Sequence, residues 1–231
     1  MKKYLVIGNP IDHSLSPELH NYWIKKNNID AVYYKKKLDL EDIKKIVDDI
    51  RNNKINGVNV TTPFKKDIIS FVDDLSEEAL ITQSVNTILL ENNKIKGFNT
   101  DIIGFQLSLK EIKFDLKNKK VLILGSGGVV PSIIFSLQKS GISEITLSNR
   151  TKNKADELKN TFPNLKVVEW GKIPEFDIVI GFFDNCVGIV RLSGAFCVDS
   201  AIFHPKITLG VDLGAKTNLL KNLKTTCLRS A

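Results

Sequence analysis

The stretch VLILGSGGVVPS, from Val121 to Ser132, decides the fold of the second half of the chain. Its first four residues are short, branched and uniformly apolar, which is typical of a parallel strand covered on both faces. The glycines that follow permit a sharp turn and a close approach to a pyrophosphate, and Pro131 suits the first turn of a helix that runs to about Lys139. A strand, turn and helix of this kind is typical of dinucleotide-binding domains. An ordinary tight turn is the alternative, since Val130 stands where a third small residue is expected.

A basic loop follows the next predicted strand, Glu144–Ser148. Proteins that bind NAD tend to place an acidic residue here, on the ribose 2′-hydroxyl. This chain has the loop SNRTKNK instead, in which Arg150 can donate two parallel hydrogen bonds to a 2′-phosphate. A solvated helix start with Thr151 as its N-cap is the alternative. The order of the two motifs favours NADP, and the candidate cofactor ligands are Gly125, Ser126, Gly127, Gly128, Val129, Asn149, Arg150, Thr151 and Lys154.

The composition is that of an ordinary globular protein that binds small molecules. The 231 residues are 42% hydrophobic and 26% charged, enough for one large domain or two modest ones. The net charge of +7 favours anionic partners, but its basic residues are scattered and form no nucleic-acid face. No stretch approaches transmembrane length, the three cysteines are an odd number, and the three histidines lack metal-ligand spacing. We therefore expect a cytoplasmic, metal-free protein with no nucleic-acid or membrane partner, acting as a monomer or homodimer.

Strand-like and helix-like patterns alternate along the whole chain, which indicates an α/β fold. The predicted elements of the first half are the strands Tyr4–Gly8, Ala31–Lys35, Gly57–Thr61, Val85–Leu89 and Lys94–Gly97, and the helices Pro17–Lys26, Leu40–Ile50 and Ile102–Ile112. We predict two domains: an N-terminal α/β substrate-binding and catalytic domain over residues 1–101, and a Rossmann-like NADP-binding domain over residues 102–231.

Polar residues cluster where the predicted strands of the first half end. In HSLSPELH, Ser14 and Ser16 are two positions apart, so both hydroxyls face one way in an extended segment. Ser16 followed by Pro17 also reads as an N-cap with proline at the first helical position. The two interpretations are compatible, because two hydroxyls at a helix N-terminus suit a carboxylate.

A second cluster lies in GVNVTTPFKK. Asn59 and Thr61 alternate with apolar residues, which points two polar groups to one side of the strand. Lys65 is predicted to open a short helix, where its charge is unfavourable with the helix dipole and hints at a role beyond solubility. An exposed lysine beside Lys66 is the alternative.

The segments SVNTI and GFNTDIIGF supply a third group: Asn86, Asn99, Thr100 and Asp101 lie at strand ends or in the following turn. Asp101 could simply cap the helix that follows it. Several amides, one lysine and one carboxylate would also suit a small polyhydroxylated acid.

In combination these motifs resemble the shikimate dehydrogenase family. The resemblance is carried by IGNPIDHSLSP, GVNVTTPFK, SVNTI, GFNTDIIGF, GSGGVV and SNRT, which occur in family order from Ile7 to Thr151. It implies the NADPH-dependent, reversible reduction of 3-dehydroshikimate to shikimate, in the chorismate pathway to aromatic amino acids. It also implies that Ser14 and Ser16 hold the substrate carboxylate, that Asn59, Thr61, Asn86 and Asp101 bind ring hydroxyls, that Thr100 lines the pocket, and that Lys65 and Asp101 are the catalytic pair.

The resemblance fails after Ile180, so residues 181–231 are expected to be atypical. In the family the next loop resembles Asn-Ala-Thr-x-x-Gly, whereas this chain has GFFDNC and reaches a glycine at Gly188. The final segment also lacks the glutamine-bearing helix that covers the substrate in the family. A catalytically impaired shikimate-binding remnant is therefore an alternative, as is ordinary divergence with an unchanged loop geometry. Independently of this segment, a quinate/shikimate dehydrogenase with relaxed substrate preference is a close relative and a further alternative.

Overall fold

A computed structural model describes residues 1–111, 115–183, 186–191 and 194–199 of the chain. The chain divides into two compact units. The first contains Met1–Gln106 and Gly128–Phe135, and the second contains Leu107–Gly127 and Ser136–Ala231.

The first unit is built on a six-stranded mixed sheet with the order β2-β1-β3-β5-β6-β4. Its strands are β1 (Lys2–Gly8), β2 (Ala31–Lys37), β3 (Gly57–Val60), β4 (Asp74–Leu75), β5 (Thr87–Glu91) and β6 (Lys94–Phe98). Strand β1 is parallel to both of its neighbours, so the loops after β1 and β3 begin at the same edge of the sheet. The helices are α1 (Ser16–Lys26), α2 (Ile43–Arg51), α3 (Glu77–Thr82) and α4 (Asp101–Glu111), with 3₁₀ helices at Leu40–Asp42 and Asp67–Phe71.

Alternation along the strands divides this unit into two apolar layers. Leu5 and Ile7 of β1 join Val58 and Val60 of β3 in the larger layer, which α2 covers with Ile43, Ile46, Val47 and Ile50. On the opposite face Val6 packs with Ile11 and Tyr33, and Ile24 of α1 lies against them. Asn59 pairs in register with Val6, so it belongs to this smaller layer.

The second unit has a six-stranded sheet with the order β12-β11-β10-β7-β8-β9. Its strands are β7 (Lys120–Leu124), β8 (Glu144–Ser148), β9 (Lys166–Val168), β10 (Ile178–Phe183), β11 (Cys186–Arg191) and β12 (Gly194–Asp199). The strands from β10 to β9 are parallel, and α5 (Val130–Lys139) and α6 (Lys152–Thr161) form the first two connections. This is the strand order of a Rossmann-like domain with β7 as its first strand, which confirms the predicted fold class.

Two local predictions are wrong. The helix at Ser16 begins with Ser16 itself, its N-cap residue is Leu15, and no side chain makes a capping bond. Lys65 does not open a helix, because residues 62–66 form turns and the following 3₁₀ helix begins at Asp67. The unfavourable helix dipole therefore has no bearing on Lys65.

The atypical region begins with a change of direction in the second sheet. After β10 the chain turns back as antiparallel β11 and again as antiparallel β12. Residues 200–231, where the family's glutamine-bearing helix is expected to be missing, lie outside the described residues. Within the described residues, no helix combines the length and apolar composition needed to cross a membrane.

Candidate active site

A buried ion pair joins Lys65 to Asp101. The Lys65 Nζ lies 2.7 Å from the Asp101 Oδ2, and the two side chains are 14% and 9% exposed. Lys65 follows β3, whereas Asp101 is the first residue of α4 and follows β6, so the pair connects the ends of two strands of one sheet. The Lys65 backbone is held as well, because its carbonyl accepts the Val85 N–H at 2.8 Å.

Asn86 orients the other oxygen of the Asp101 carboxylate. Its Nδ2 donates to Asp101 Oδ1 at 2.8 Å, and its Oδ1 accepts the Thr100 N–H at 3.0 Å. Asn99 adds a further bond, since its Oδ1 accepts the Asp101 N–H at 3.1 Å. The Asp101 carboxylate is therefore fixed at the start of α4, because both of its oxygens and the Asp101 N–H have protein partners.

Asn59 and Thr61 extend this polar group along β3. The Asn59 Nδ2 donates to Thr87 Oγ1 at 3.0 Å, and the Thr87 hydroxyl donates to Asn86 Oδ1 at 3.1 Å. The Thr61 N–H donates to the Ile7 carbonyl at 2.9 Å, at the end of the neighbouring strand β1. A Cβ added at Gly8 would lie 2.6 Å from the Thr61 methyl carbon, so the close approach of these two chain segments requires glycine at position 8.

Ser14 and Ser16 lie at the N-terminus of α1, and both are partly exposed. The Ser14 Oγ accepts the Ser16 N–H at 3.4 Å, a long hydrogen bond just before the first turn of α1. Among the described residues, neither hydroxyl is bonded to the group around Lys65 and Asp101. The two serines reach the same edge of the sheet through the loop that follows β1.

In the second unit, the glycine-rich turn follows β7, as the sequence predicts. Gly125 has φ +102°, a conformation that favours glycine, and its N–H donates to the Ser148 carbonyl at 2.9 Å. A Cβ added at Gly127 would have no described atom within 4 Å, so the protein itself does not require glycine there. Open space over Gly127, beside the start of a helix, fits the backbone approach to a pyrophosphate that the sequence suggested.

The basic loop lies at the same sheet edge as this turn. Ser148 pairs in register with Leu124, so Asn149, Arg150 and Thr151 follow β8 where Gly125 follows β7. Arg150, Thr151 and Lys154 are exposed. The alternative interpretation of this loop is a helix start capped by Thr151. Thr151 does occupy the N-cap position of α6, but its hydroxyl makes no capping hydrogen bond.

Several polar residues of the site were not singled out from the sequence. Ser132 on α5 accepts from the Asn99 amide at 2.9 Å, the Ser84 hydroxyl donates to the Gly128 carbonyl at 3.3 Å, and Thr87 and Tyr33 flank Asn59. A Cβ added at Gly128 would lie 3.7 Å from Lys65 Cδ, an ordinary van der Waals distance. Sequence spacing offers no signal for such contacts, because they join residues that are far apart along the chain.

Comparison with known proteins decides the family. The shikimate dehydrogenase substrate-binding domain matches residues 6–88, and the shikimate/quinate 5-dehydrogenase domain matches residues 107–183. The shikimate dehydrogenase (NADP(+)) of Pelagibacter ubique is 58% identical over 179 residues, which cover 78% of this chain and 68% of that protein. The chain belongs to the shikimate dehydrogenase family.

Solved structures agree with this assignment. The crystal structure of the shikimate dehydrogenase from Aquifex aeolicus has a TM-score of 0.72 and 38% identity, covering 80% of this chain and 70% of that one. The enzyme from Thermus thermophilus, crystallised with NADP(H) and shikimate, has a TM-score of 0.70 and 32% identity, covering 78% of this chain and 68% of that one. The family match ends at residue 183, close to Ile180, where the sequence predicted that the resemblance to shikimate dehydrogenases fails.

The chemistry that this site can perform follows from its donors. The Lys65 ammonium can give a proton and stabilise negative charge on an oxygen, and the amides can bind hydroxyl groups. Among the described residues, no group of three or more His, Cys, Asp or Glu side chains could hold a metal ion.

Proposed function

We propose that this protein catalyses the reversible, NADPH-dependent reduction of 3-dehydroshikimate to shikimate. The observation that carries the proposal is the buried ion pair of Lys65 and Asp101 at 2.7 Å, surrounded by hydrogen-bonded amides in a chain of the shikimate dehydrogenase family. The Pelagibacter relative is named a shikimate dehydrogenase (NADP(+)), and the Thermus enzyme was crystallised with NADP(H) and shikimate. Both support the same substrate and cofactor here.

In this proposal Lys65 handles the proton. As the ring carbonyl is reduced, negative charge develops on its oxygen, and the Lys65 ammonium donates a proton to that oxygen and takes it back in the reverse direction. Asp101 accepts a hydrogen bond from Lys65 and keeps the ammonium oriented, while Asn86 holds the carboxylate from its other side. Positioned proton transfer of this kind contributes about 10²–10⁴ in rate.

The substrate would be bound at two ends. Ser14 and Ser16 at the N-terminus of α1 suit its carboxylate, because hydroxyls and free backbone N–H groups both donate to anions there. Asn59, Thr61, Asn86 and Asp101 would bind the ring hydroxyls, and Thr100 would line the pocket. Amides serve this purpose well because each both donates and accepts hydrogen bonds.

The cofactor would be held by the backbone of residues 125–129 at its pyrophosphate and by the loop after β8 at its 2′-phosphate. Arg150 would donate two parallel bonds to that phosphate, with Asn149, Thr151 and Lys154 beside it. NADPH, when bound, supplies the hydride. We further propose that the protein works in the cytoplasm, which the odd number of cysteines favours, as a monomer or homodimer.

The experiment is an NADP-reduction assay of the purified protein with shikimate, with quinate as the comparison. Quinate carries an additional ring hydroxyl in place of the ring double bond, so it tests how closely the pocket fits shikimate. We expect NADP reduction with shikimate and a much lower kcat/KM with quinate. Binding of shikimate without turnover would instead favour a catalytically impaired remnant, and equal use of both substrates would favour a quinate/shikimate dehydrogenase.

A further inference from the structure

A buried tyrosine outside the family-derived set of site residues bonds directly to Asn59. Tyr33 is 4% exposed, and its hydroxyl lies 2.6 Å from the Asn59 Oδ1. Tyr33 lies on β2, Asn59 lies on β3, and β1 separates the two strands in the sheet. Neighbouring strands are about 4.8 Å apart, so Tyr33 spans roughly 10 Å of sheet to meet this amide.

The neighbours of Asn59 fix the direction of this hydrogen bond. The Asn86 carbonyl can only accept, and it lies 3.4 Å from the Asn59 Nδ2, so the amide nitrogen faces Asn86 and the amide oxygen faces Tyr33. The Tyr33 hydroxyl must therefore donate. Burial raises the pKa of Tyr33 above its ordinary value, so the phenol keeps its proton and the bond persists across the working pH range.

Tyr33 is in turn fixed to α1, the helix that carries Ser16. The Asn21 side chain bonds to both backbone groups of Tyr33, accepting its N–H at 2.9 Å and donating to its carbonyl at 2.8 Å. The His20 ring stacks on the Tyr33 ring, with centroids 4.1 Å apart and an angle of 3° between the planes. One side chain thus connects the helix of the serine hydroxyls to the amide on β3.

We propose that Tyr33 is a positioning residue. It orients the Asn59 amide towards a substrate hydroxyl and fixes the position of that amide relative to α1. The proposal rests on the proposed function, since it assigns Asn59 to the substrate. Asn59 keeps one further lone pair on Oδ1 and a weakly held N–H, whose bond to Asn86 is long at 3.4 Å. Those are the groups that a ring hydroxyl would meet. Without the Tyr33 hydroxyl the Asn59 Oδ1 loses its donor, and the amide is held only through its Nδ2, by Thr87 and Asn86.

The test is Tyr33→Phe, which keeps the stacked ring and removes the hydroxyl. We expect the KM for shikimate to rise about three- to tenfold, the loss of one ordinary hydrogen bond, while kcat and the KM for NADP stay within about twofold. The matched control is Tyr34→Phe, the same change at the next residue, where the side chain is 47% exposed. It should leave all three constants and the thermal midpoint as in the wild type.

A double-mutant cycle separates positioning from general stability. If Tyr33 acts through Asn59, Tyr33→Phe should have no further effect on shikimate affinity in an Asn59→Ala background. The same loss of affinity in both backgrounds, or an unchanged KM in Tyr33→Phe, overturns the proposal while leaving the proposed function intact. A wild-type protein that neither binds nor oxidises shikimate overturns the proposed function and the Tyr33 proposal together.

Discussion

The two predicted binding regions of this protein are built on opposite principles. Around Lys65 and Asp101 the polar side chains are buried or partly buried and bond to one another, so the orientation of each depends on its neighbours. In the loop after β8 the polar side chains of Arg150, Thr151 and Lys154 are exposed, and the glycine-rich turn contributes mainly backbone. The first region is a preorganised network, whereas the second is a set of exposed groups at a sheet edge.

This difference predicts how each region fails. A change in the network leaves other buried polar groups without a partner, so it should affect chemistry and stability beyond the altered residue. A change of an exposed side chain in the loop should act mainly on ligand binding, because surface substitutions usually alter stability little.

The largest effect is expected from Lys65→Ala. Loss of the proton donor should lower kcat by about 10²–10⁴, while the dissociation constant of shikimate changes by a modest factor because the hydroxyl-binding amides remain. Steady-state kinetics and equilibrium titration measure the two quantities. Lys66→Ala, at the exposed neighbouring lysine, is the control and should behave as the wild type. A near-native rate in Lys65→Ala would remove this residue from the mechanism.

Arg150→Ala should have the next largest effect, on cofactor choice rather than on folding. A charge-assisted bidentate contact to the 2′-phosphate is worth about 1.5–3 kcal/mol, so the preference for NADP over NAD should fall about ten- to a hundredfold. Lys159→Ala removes the same charge from an exposed position near the end of α6 and should leave the preference unchanged. Equal affinity of the wild-type protein for both cofactors would contradict the assignment of this loop.

A pair of glycine substitutions compares the two regions directly. In Gly8→Ala the added methyl would meet the Thr61 methyl at 2.6 Å and the Thr62 carbonyl at 3.0 Å, so we expect a loss of about 1–3 kcal/mol of unfolding free energy and a higher KM for shikimate. In Gly127→Ala the methyl meets no described atom, so stability should be unchanged while NADP affinity falls. Denaturant unfolding and cofactor titration test both variants. Unaltered NADP binding in Gly127→Ala would argue against a pyrophosphate at this turn.

The smallest expected effect concerns pH. Burial lowers the pKa of His20, which is stacked on Tyr33, below its ordinary value of 6.5. Below pH 6.5 the His20 imidazole therefore binds a proton more readily in the unfolded chain than in the folded protein. The contribution of His20 to the free energy of unfolding is present above pH 6.5 and is lost as the pH falls towards the pKa of the folded state. His20→Phe keeps a ring in the stack and removes the titration, so its unfolding free energy should fall less between about pH 7 and pH 5. An identical pH dependence in both proteins would exclude His20 as the source.

Much of this molecule could be predicted because its signals are local. The apolar run of β7, the glycines after it and the basic loop after β8 stand close together in the sequence, and each constrains the backbone by itself. The clustering of Asn59, Asn86 and Asp101 could also be predicted, since polar residues at the ends of buried strands meet at one sheet edge.

The wrong and missing predictions also have physical reasons. The N-cap at Ser16 was wrong because the helix already includes Ser16, and Leu15 occupies the N-cap position. The helix at Lys65 was wrong because the chain remains in turns until Asp67. Tyr33 carried no signal, since an aromatic residue in a strand is ordinary and its contact with Asn59 lies 26 residues away.

The most direct test of the network is the coupling between Lys65 and Asp101, measured as kcat/KM for shikimate oxidation in Lys65→Ala, Asp101→Ala and the double variant. Two side chains that act as one unit are not additive, because removing either already disables the pair. We predict that the double variant loses about as much activity as Lys65→Ala alone. A loss equal to the product of the two single losses would show independent side chains and contradict the account of a preorganised pair.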